Sequence, residues 1–216
     1  MKKIVLGAFL LFFTAAGYAQ QLEPVKIDSL VTVSLPEGYS KTDTLDQQVY
    51  SANGDYGYMV VVKATDETNK PLEKEKDLNR VMSTYVKSLQ GQYKDASAQN
   101  VRDTTVGPLK AKTFTLQYRA DDSSIQFKNF VLLYTTTASY FFEYAYPGMR
   151  ADVIGKELKT FVGSIKLAPQ LQRNDQYLSN DKGMSTGVKI GLFGGGAALL
   201  AVLVVVFLNR RKSQLA

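Results

Sequence analysis

The chain has 216 residues, with 26 Lys and Arg against 20 Asp and Glu, and it contains neither His nor Cys. Without those two residue types, Ser-His-Asp and Cys-His catalysis, structural zinc, iron–sulfur clusters and disulfides are all excluded. The net charge of +6 is carried by Lys2, Lys3, Lys189, Arg210, Arg211 and Lys212, beside two apolar ends, so the region between them is formally neutral and has no excess charge to spend on nucleic acid.

The first apolar end, Ile4 to Phe13, follows Lys2-Lys3 and leads into Gly17-Tyr18-Ala19, with small residues three and one before the expected cut. This is the pattern of a cleaved signal peptide over 1–19, with a mature chain starting at Gln20; an uncleaved anchor is the alternative. The exported domain is expected over 20–167. Leu30 to Leu35 alternates as a strand and stops at Pro36-Glu37-Gly38. Leu45 to Ser51 and Tyr58 to Ala64 flank Asn53-Gly54-Asp55, which predicts a β-hairpin. After Lys70-Pro71, Leu78, Val81, Met82, Tyr85, Val86 and Leu89 recur at steps of three and four, which predicts the main helix, ending near Gly91. Val101 to Val106, Lys112 to Tyr118, Ile125 to Thr135 and Tyr140 to Tyr146 follow as four strands. Their short connections require an antiparallel meander. Ile154, Leu158, Phe161, Val162 and Ile165 form a second amphipathic helix.

From Ala168 to Gly187 the chain turns polar and reads as a flexible stalk. Within 188–208, the uncharged stretch Ile190 to Leu208 would rise roughly 28 Å as a helix, close to the thickness of a hydrocarbon core. A transmembrane helix is expected here. The Arg210-Arg211-Lys212 cluster then places the tail, 209–216, in the cytoplasm and the domain on the opposite side.

One resemblance is carried by a strand ending in Leu-Pro-x-Gly-Tyr (Leu35 to Tyr39), a hairpin, one long helix, a meander opening with Val106-Gly107-Pro108-Leu109-Lys110-Ala111-Lys112-Thr113-Phe114, and a last helix ending in Phe161-Val162-Gly163-Ser164-Ile165. In this order of elements the chain resembles the PsbP-like superfamily, which includes PsbP and the DcrB-type envelope lipoproteins. The resemblance spans about Ile27 to Leu167. It implies an α+β fold, an antiparallel sheet covered by helices, used as a binding or assembly module without catalysis. No catalytic motif of that group can be carried over, and the C-terminal anchor departs from its soluble or lipidated members.

Four local features suggest sharper readings. Tyr140, Phe142, Tyr144 and Tyr146 share one strand face and are candidates for partner binding, against the alternative of a face buried under the domain's own helices. Asp121 and Asp122, with Glu143 near, suit calcium or acid–base chemistry in principle, but adjacent Asp residues before Ser123-Ser124 are turn formers first and match no calcium loop. Ser179-Asn180-Asp181-Lys182 matches a Ser-x-x-Lys nucleophile motif without its companion motifs. Gly187, Gly191 and Gly195 fall on one helical face and are candidates for helix packing.

These features imply a membrane-tethered, non-enzymatic binding or assembly module of the bacterial cell envelope, facing the periplasm from the inner membrane, with no cofactor and no nucleic acid. Its expected partner is an envelope protein or a small ligand. Two alternatives stay open. One is a hydrolase or ligand-processing domain built on carboxylates and Tyr; the other is a GlyGly-type C-terminal sorting signal around Gly194-Gly195-Gly196.

Overall fold

The computed structural model describes residues 22–44, 46–65 and 71–179. The expected signal peptide, the expected transmembrane helix, the glycines at 187, 191 and 195, the expected cytoplasmic tail and the far part of the expected stalk lie outside these residues. Among the described residues no helix is long and apolar enough to cross a membrane.

Among the described residues, twelve strands and two α-helices follow in chain order: β1 (Leu22–Lys26), β2 (Val31–Pro36), β3 (Ser40–Asp43), β4 (Gln47–Asn53), β5 (Tyr58–Thr65), β6 (Leu72–Lys74), α1 (Glu75–Gly91), β7 (Ser97–Val106), β8 (Leu109–Arg119), β9 (Ile125–Tyr134), β10 (Ala138–Pro147), α2 (Gly155–Gly163), β11 (Lys166–Leu167) and β12 (Tyr177–Ser179). The fold is α+β. Its centre is a seven-stranded antiparallel sheet in the order β3-β4-β5-β10-β9-β8-β7. The expected β4–β5 hairpin and the β7 to β10 meander both form.

The two faces of this sheet are covered differently. On one face, Val86 and Leu89 of α1 pack on Val60, Val62, Phe114, Phe130, Leu132 and Phe141. This contact follows from the predicted stripe, because helical steps of three and four align those residues against alternate positions of neighbouring strands. The other face carries Phe161 of α2, but also Val31, Val33 and Leu35 of β2, all packed on Tyr140, Phe142 and Tyr144. The expected cover of helices forms, and on this face a small antiparallel sheet, β1-β2-β11, shares it with α2. The short run Leu22–Lys26 has too little periodicity to announce a strand and is ordered by pairing with β2.

One correction concerns the stalk. Residues 168–179 belong to the folded domain. Leu171 is buried in the α2-side core, and Tyr177 is buried against Leu78 and Met82 of α1. β12 pairs in parallel with β6. The fully buried Gln176 acts as a clamp: its side-chain amide donates to the backbone carbonyls of Lys110 (2.7 Å) and Tyr134 (2.8 Å), and its side-chain oxygen accepts from the Lys110 N–H (2.8 Å). A polar composition predicts a solvated chain only while its polar groups have no better partners; here they satisfy backbone groups of β8 and β9 that would otherwise lack them.

Candidate functional site

Strand register arranges the side chains on the α2 face in rows running across the sheet. Phe142, Val131, Thr113 and Arg102 form one row; Tyr144, Asn129, Thr115 and Gln99 form the next; Tyr146, Phe127, Gln117 and Ser97 form a third. Each row starts apolar or aromatic at β10 and ends polar at β7. At the β10 end, Tyr140, Phe142 and Tyr144 are fully buried beneath α2 and β2, whereas Tyr146 is half-buried and stacks on Phe127 with ring centroids 5.4 Å apart. The four candidate partner-binding aromatics thus separate: three lie within the core and Tyr146 alone reaches the surface.

The closed part of the molecule contains three charged clusters. In the first, Tyr140 donates to Asp28 at 2.7 Å and Lys63 pairs with the same carboxylate at 2.9 Å, while the Leu30 and Val31 N–H groups donate to its other oxygen. Burial alone would raise the Asp28 carboxyl, but the bonds from Lys63, Tyr140 and Leu30 outweigh it and hold the group below its ordinary value. The Tyr140 hydroxyl is pushed well above its ordinary value by burial and by its bond to that carboxylate.

In the second, Glu157 of α2 is gripped by the β4–β5 turn. The Asp55 and Tyr56 N–H groups donate to its two oxygens, each at 2.9 Å, and the Tyr144 hydroxyl donates at 2.8 Å. Arg150 closes the turn by donating to the Tyr56 carbonyl at 3.0 Å. Gly54 and Gly57 permit this approach: a Cβ at Gly57 would lie 2.5 Å from the Tyr144 ring, and one at Gly54 1.8 Å from a Glu157 oxygen. Burial and Glu157 raise the Tyr144 hydroxyl strongly.

The third lies on the α1 face, where Lys128 and Glu143 pair at 2.6 Å and the Lys128 ammonium sits 5.0 Å from the centre of the Tyr93 ring. Burial works against the Lys128 charge, yet the attraction of Glu143 prevails and its ammonium is held above the ordinary lysine value. Glu143 is therefore engaged on the sheet. Asp122 caps its own turn by accepting from the Ser124 N–H at 2.9 Å, and burial of Glu143 in mid-sheet keeps it apart from that hairpin tip. Among the described residues no group of three or more Asp or Glu is placed to hold a metal ion. Ser179 ends β12, and the remainder of its Ser-x-x-Lys stretch lies outside the described residues.

Among the described residues a groove of about 500 Å³ lies open between α2 and the β7 to β9 part of the sheet. Its floor contains Thr113, Thr115 and Asn129, and its wall contains Leu158, Lys159 and Val162 of α2. One element of this groove depends on an irregularity in β7. The register passes from Gln99 opposite Thr115 to Arg102 opposite Thr113, so one extra residue enters the strand, and Asn100 takes a left-handed conformation with φ of 53°. This bulge sets Arg102 opposite Thr113 on the groove face, with Val101 beside it at the groove edge. Sequence reasoning missed the groove because it is set by one extra residue in β7 and by where α2 packs; the Asn at 100, a residue tolerant of left-handed backbone, was the only signal.

No family model matches the chain, and no curated protein matches it. Among solved structures it is similar to cyanobacterial PsbP (CyanoP) from Synechocystis sp. PCC 6803, at 15% identity over 71% of this chain and 96% of that one, with a TM-score of 0.47. It is also similar to PA94 of Pseudomonas aeruginosa, a protein of unknown function, at 9% identity over 70% and 99% of the two chains, TM-score 0.46. A third similarity is to LpqN of Mycobacterium tuberculosis, described as involved in cell envelope biogenesis, at 11% identity over 69% and 91%, TM-score 0.42. These are partial likenesses of fold alone.

Proposed function

We propose that the chain is a membrane-tethered, non-enzymatic binding or assembly module of the bacterial cell envelope, with a PsbP-like domain held on the periplasmic side by the apolar segment 188–208. The observation that carries the reading is the division of labour among its polar groups. The carboxylate and tyrosine pairs that a hydrolase could use, Asp28 with Tyr140 and Glu157 with Tyr144, are bonded to one another and to backbone, the tyrosines buried and the carboxylates half-buried. The open groove, in contrast, has no Asp, Glu or Tyr among its lining residues. General acid–base chemistry requires such a group within hydrogen-bond reach of the substrate. Binding requires only shape and matched polar groups.

The test is crosslinking and affinity capture of the tagged full chain from gently solubilised native membranes, with mass spectrometry of what accompanies it. A reproducible envelope partner supports the assembly reading. Recovery of the protein alone, together with turnover of ester or glycoside substrates, overturns it in favour of a carboxylate and Tyr hydrolase. Intact mass of the same preparation tests the tether: loss of Lys212 with the tail identifies a processed sorting signal.

A further inference from the structure

The lining of the groove has a one-sided chemistry. Arg102 uses Nε to donate to the Thr113 hydroxyl at 3.2 Å, and among the described residues its two terminal nitrogens have no acceptor. Lys159, exposed on α2, has no ion-pair partner among the described residues either. The Asn129 side-chain oxygen accepts from the Thr115 hydroxyl at 2.7 Å, which orients the amide and leaves its NH₂ to donate elsewhere. Two cations and an amide donor therefore border one concavity that no carboxylate lines. Elsewhere in the domain lysines do meet a counter-ion: Lys63 with Asp28, Lys128 with Glu143, Lys112 with Asp103 and Lys110 with Glu75. The opposite side of the same concavity is apolar, formed by Leu158 and Val162 of α2, both half-buried against the core and open towards the groove.

From this geometry we infer that the groove between α2 and β7 to β9 binds a small amphiphilic anion, whose phosphate or carboxylate head is held by Arg102, Lys159 and Asn129 and whose apolar body lies along Leu158 and Val162. A guanidinium with its fork free suits a planar or tetrahedral oxyanion, and charge-assisted bonds are roughly twice as strong as neutral ones. Bonding of Nε to Thr113 restrains the guanidinium in advance, which lowers the ordering cost of binding. The bulge in β7 supplies the placement: in a regular strand, Val101 would stand opposite Thr113 and the fork would point to the other face. This ligand class deepens the binding-module reading and rests on it only in part, since the groove can be empty of function while an envelope partner docks elsewhere.

The experiment uses the full chain in phosphatidylcholine nanodiscs, titrated calorimetrically with hexyl phosphate, inorganic phosphate and hexanol, against empty nanodiscs. Hexyl phosphate is expected to bind saturably and at least about tenfold more tightly than either fragment. The paired substitution Arg102→Gln and Lys159→Gln should weaken it about tenfold or more, whereas Arg102→Lys should retain part of the affinity. Nanodiscs containing phosphatidylglycerol separate the sources: suppression of hexyl phosphate binding there identifies a lipid headgroup as the occupant, and its persistence identifies a free anion. Saturable binding that the paired substitution leaves unchanged, or no saturable binding to the wild-type chain, overturns the inference. Partner capture by the paired variant at wild-type levels would show that the assembly reading stands apart from the groove.

Discussion

The β10 end and the β7 end of the same sheet face are built by the same alternation yet reach opposite outcomes. At the β10 end, Tyr140 and Tyr144 are roofed by β2 and α2, and each hydroxyl ends on a carboxylate, Asp28 from 112 positions away and Glu157 from 13. At the β7 end, among the described residues, only the edge of α2 borders the row of Thr113, Thr115 and Asn129, and the nearby cations keep donors free. The difference teaches that cover, and not strand sequence, decides whether a polar group here becomes structural or available. Under a roof, an unpaired donor costs the full desolvation of the group, so pairing is enforced; beside an open groove it costs little.

That contrast can be broken most severely inside the closed region. Glu143→Gln leaves the Lys128 ammonium buried beside a neutral partner, and loss of one member of a buried pair is expected to cost about 3 to 5 kcal/mol in urea unfolding of the full chain. Tyr177→Ala empties a buried position between α1 and β6, with an expected loss of about 3 to 4 kcal/mol; a change under about 0.5 kcal/mol would return residues 168–179 to the status of a stalk. Gly57→Ala forces a Cβ towards the Tyr144 ring, which is fully buried and cannot yield freely, so an overpacking cost of about 1 to 3 kcal/mol is expected.

A pH titration sharpens the comparison further. Asp28 is held below its ordinary value, so its contribution is present above the unfolded carboxyl value of about 3.9 and is lost as pH falls through the lower folded value. Wild-type stability should therefore fall below about pH 4, and Asp28→Asn should be weaker at pH 7 but flatter over that acid range. An equally steep acid slope in the variant would assign the acid sensitivity to other carboxylates. The smallest effect belongs to the open end: Arg102→Gln and Lys159→Gln should each change stability by no more than about 0.5 kcal/mol, which keeps their effect on ligand titrations interpretable. Denaturant midpoints of the two variants check this.

Much of the architecture was legible beforehand because it depends on local period. The step pattern of Leu78, Val81, Met82, Val86 and Leu89 determined both the existence of α1 and the face it buries, and Asn53-Gly54-Asp55 determined the β4–β5 hairpin. The candidate site was far less legible. Of the aromatic stripe, alternation said correctly that Tyr140 to Tyr146 share a face but could not say that α2 and β2 cover three of them. The same Asn-Gly-Asp signal marked a turn without revealing that its N–H groups would receive Glu157, 101 and 102 positions later in the chain.

The sequence by itself determined the helices, the hairpin, the meander, the neutral balance of the central region and the absence of His and Cys chemistry, since each follows from composition or from contacts between near neighbours. Only the tertiary structure decided that Gln176 would clamp β8 to β9, that Asp28 would meet Lys63 and Tyr140, and that one extra residue in β7 would turn Arg102 into an open groove. The physical reason is the range of the interactions. Period and turn chemistry act over a few residues, whereas the partner of a polar group, and whether water can still reach it, is set by which distant segment packs over it.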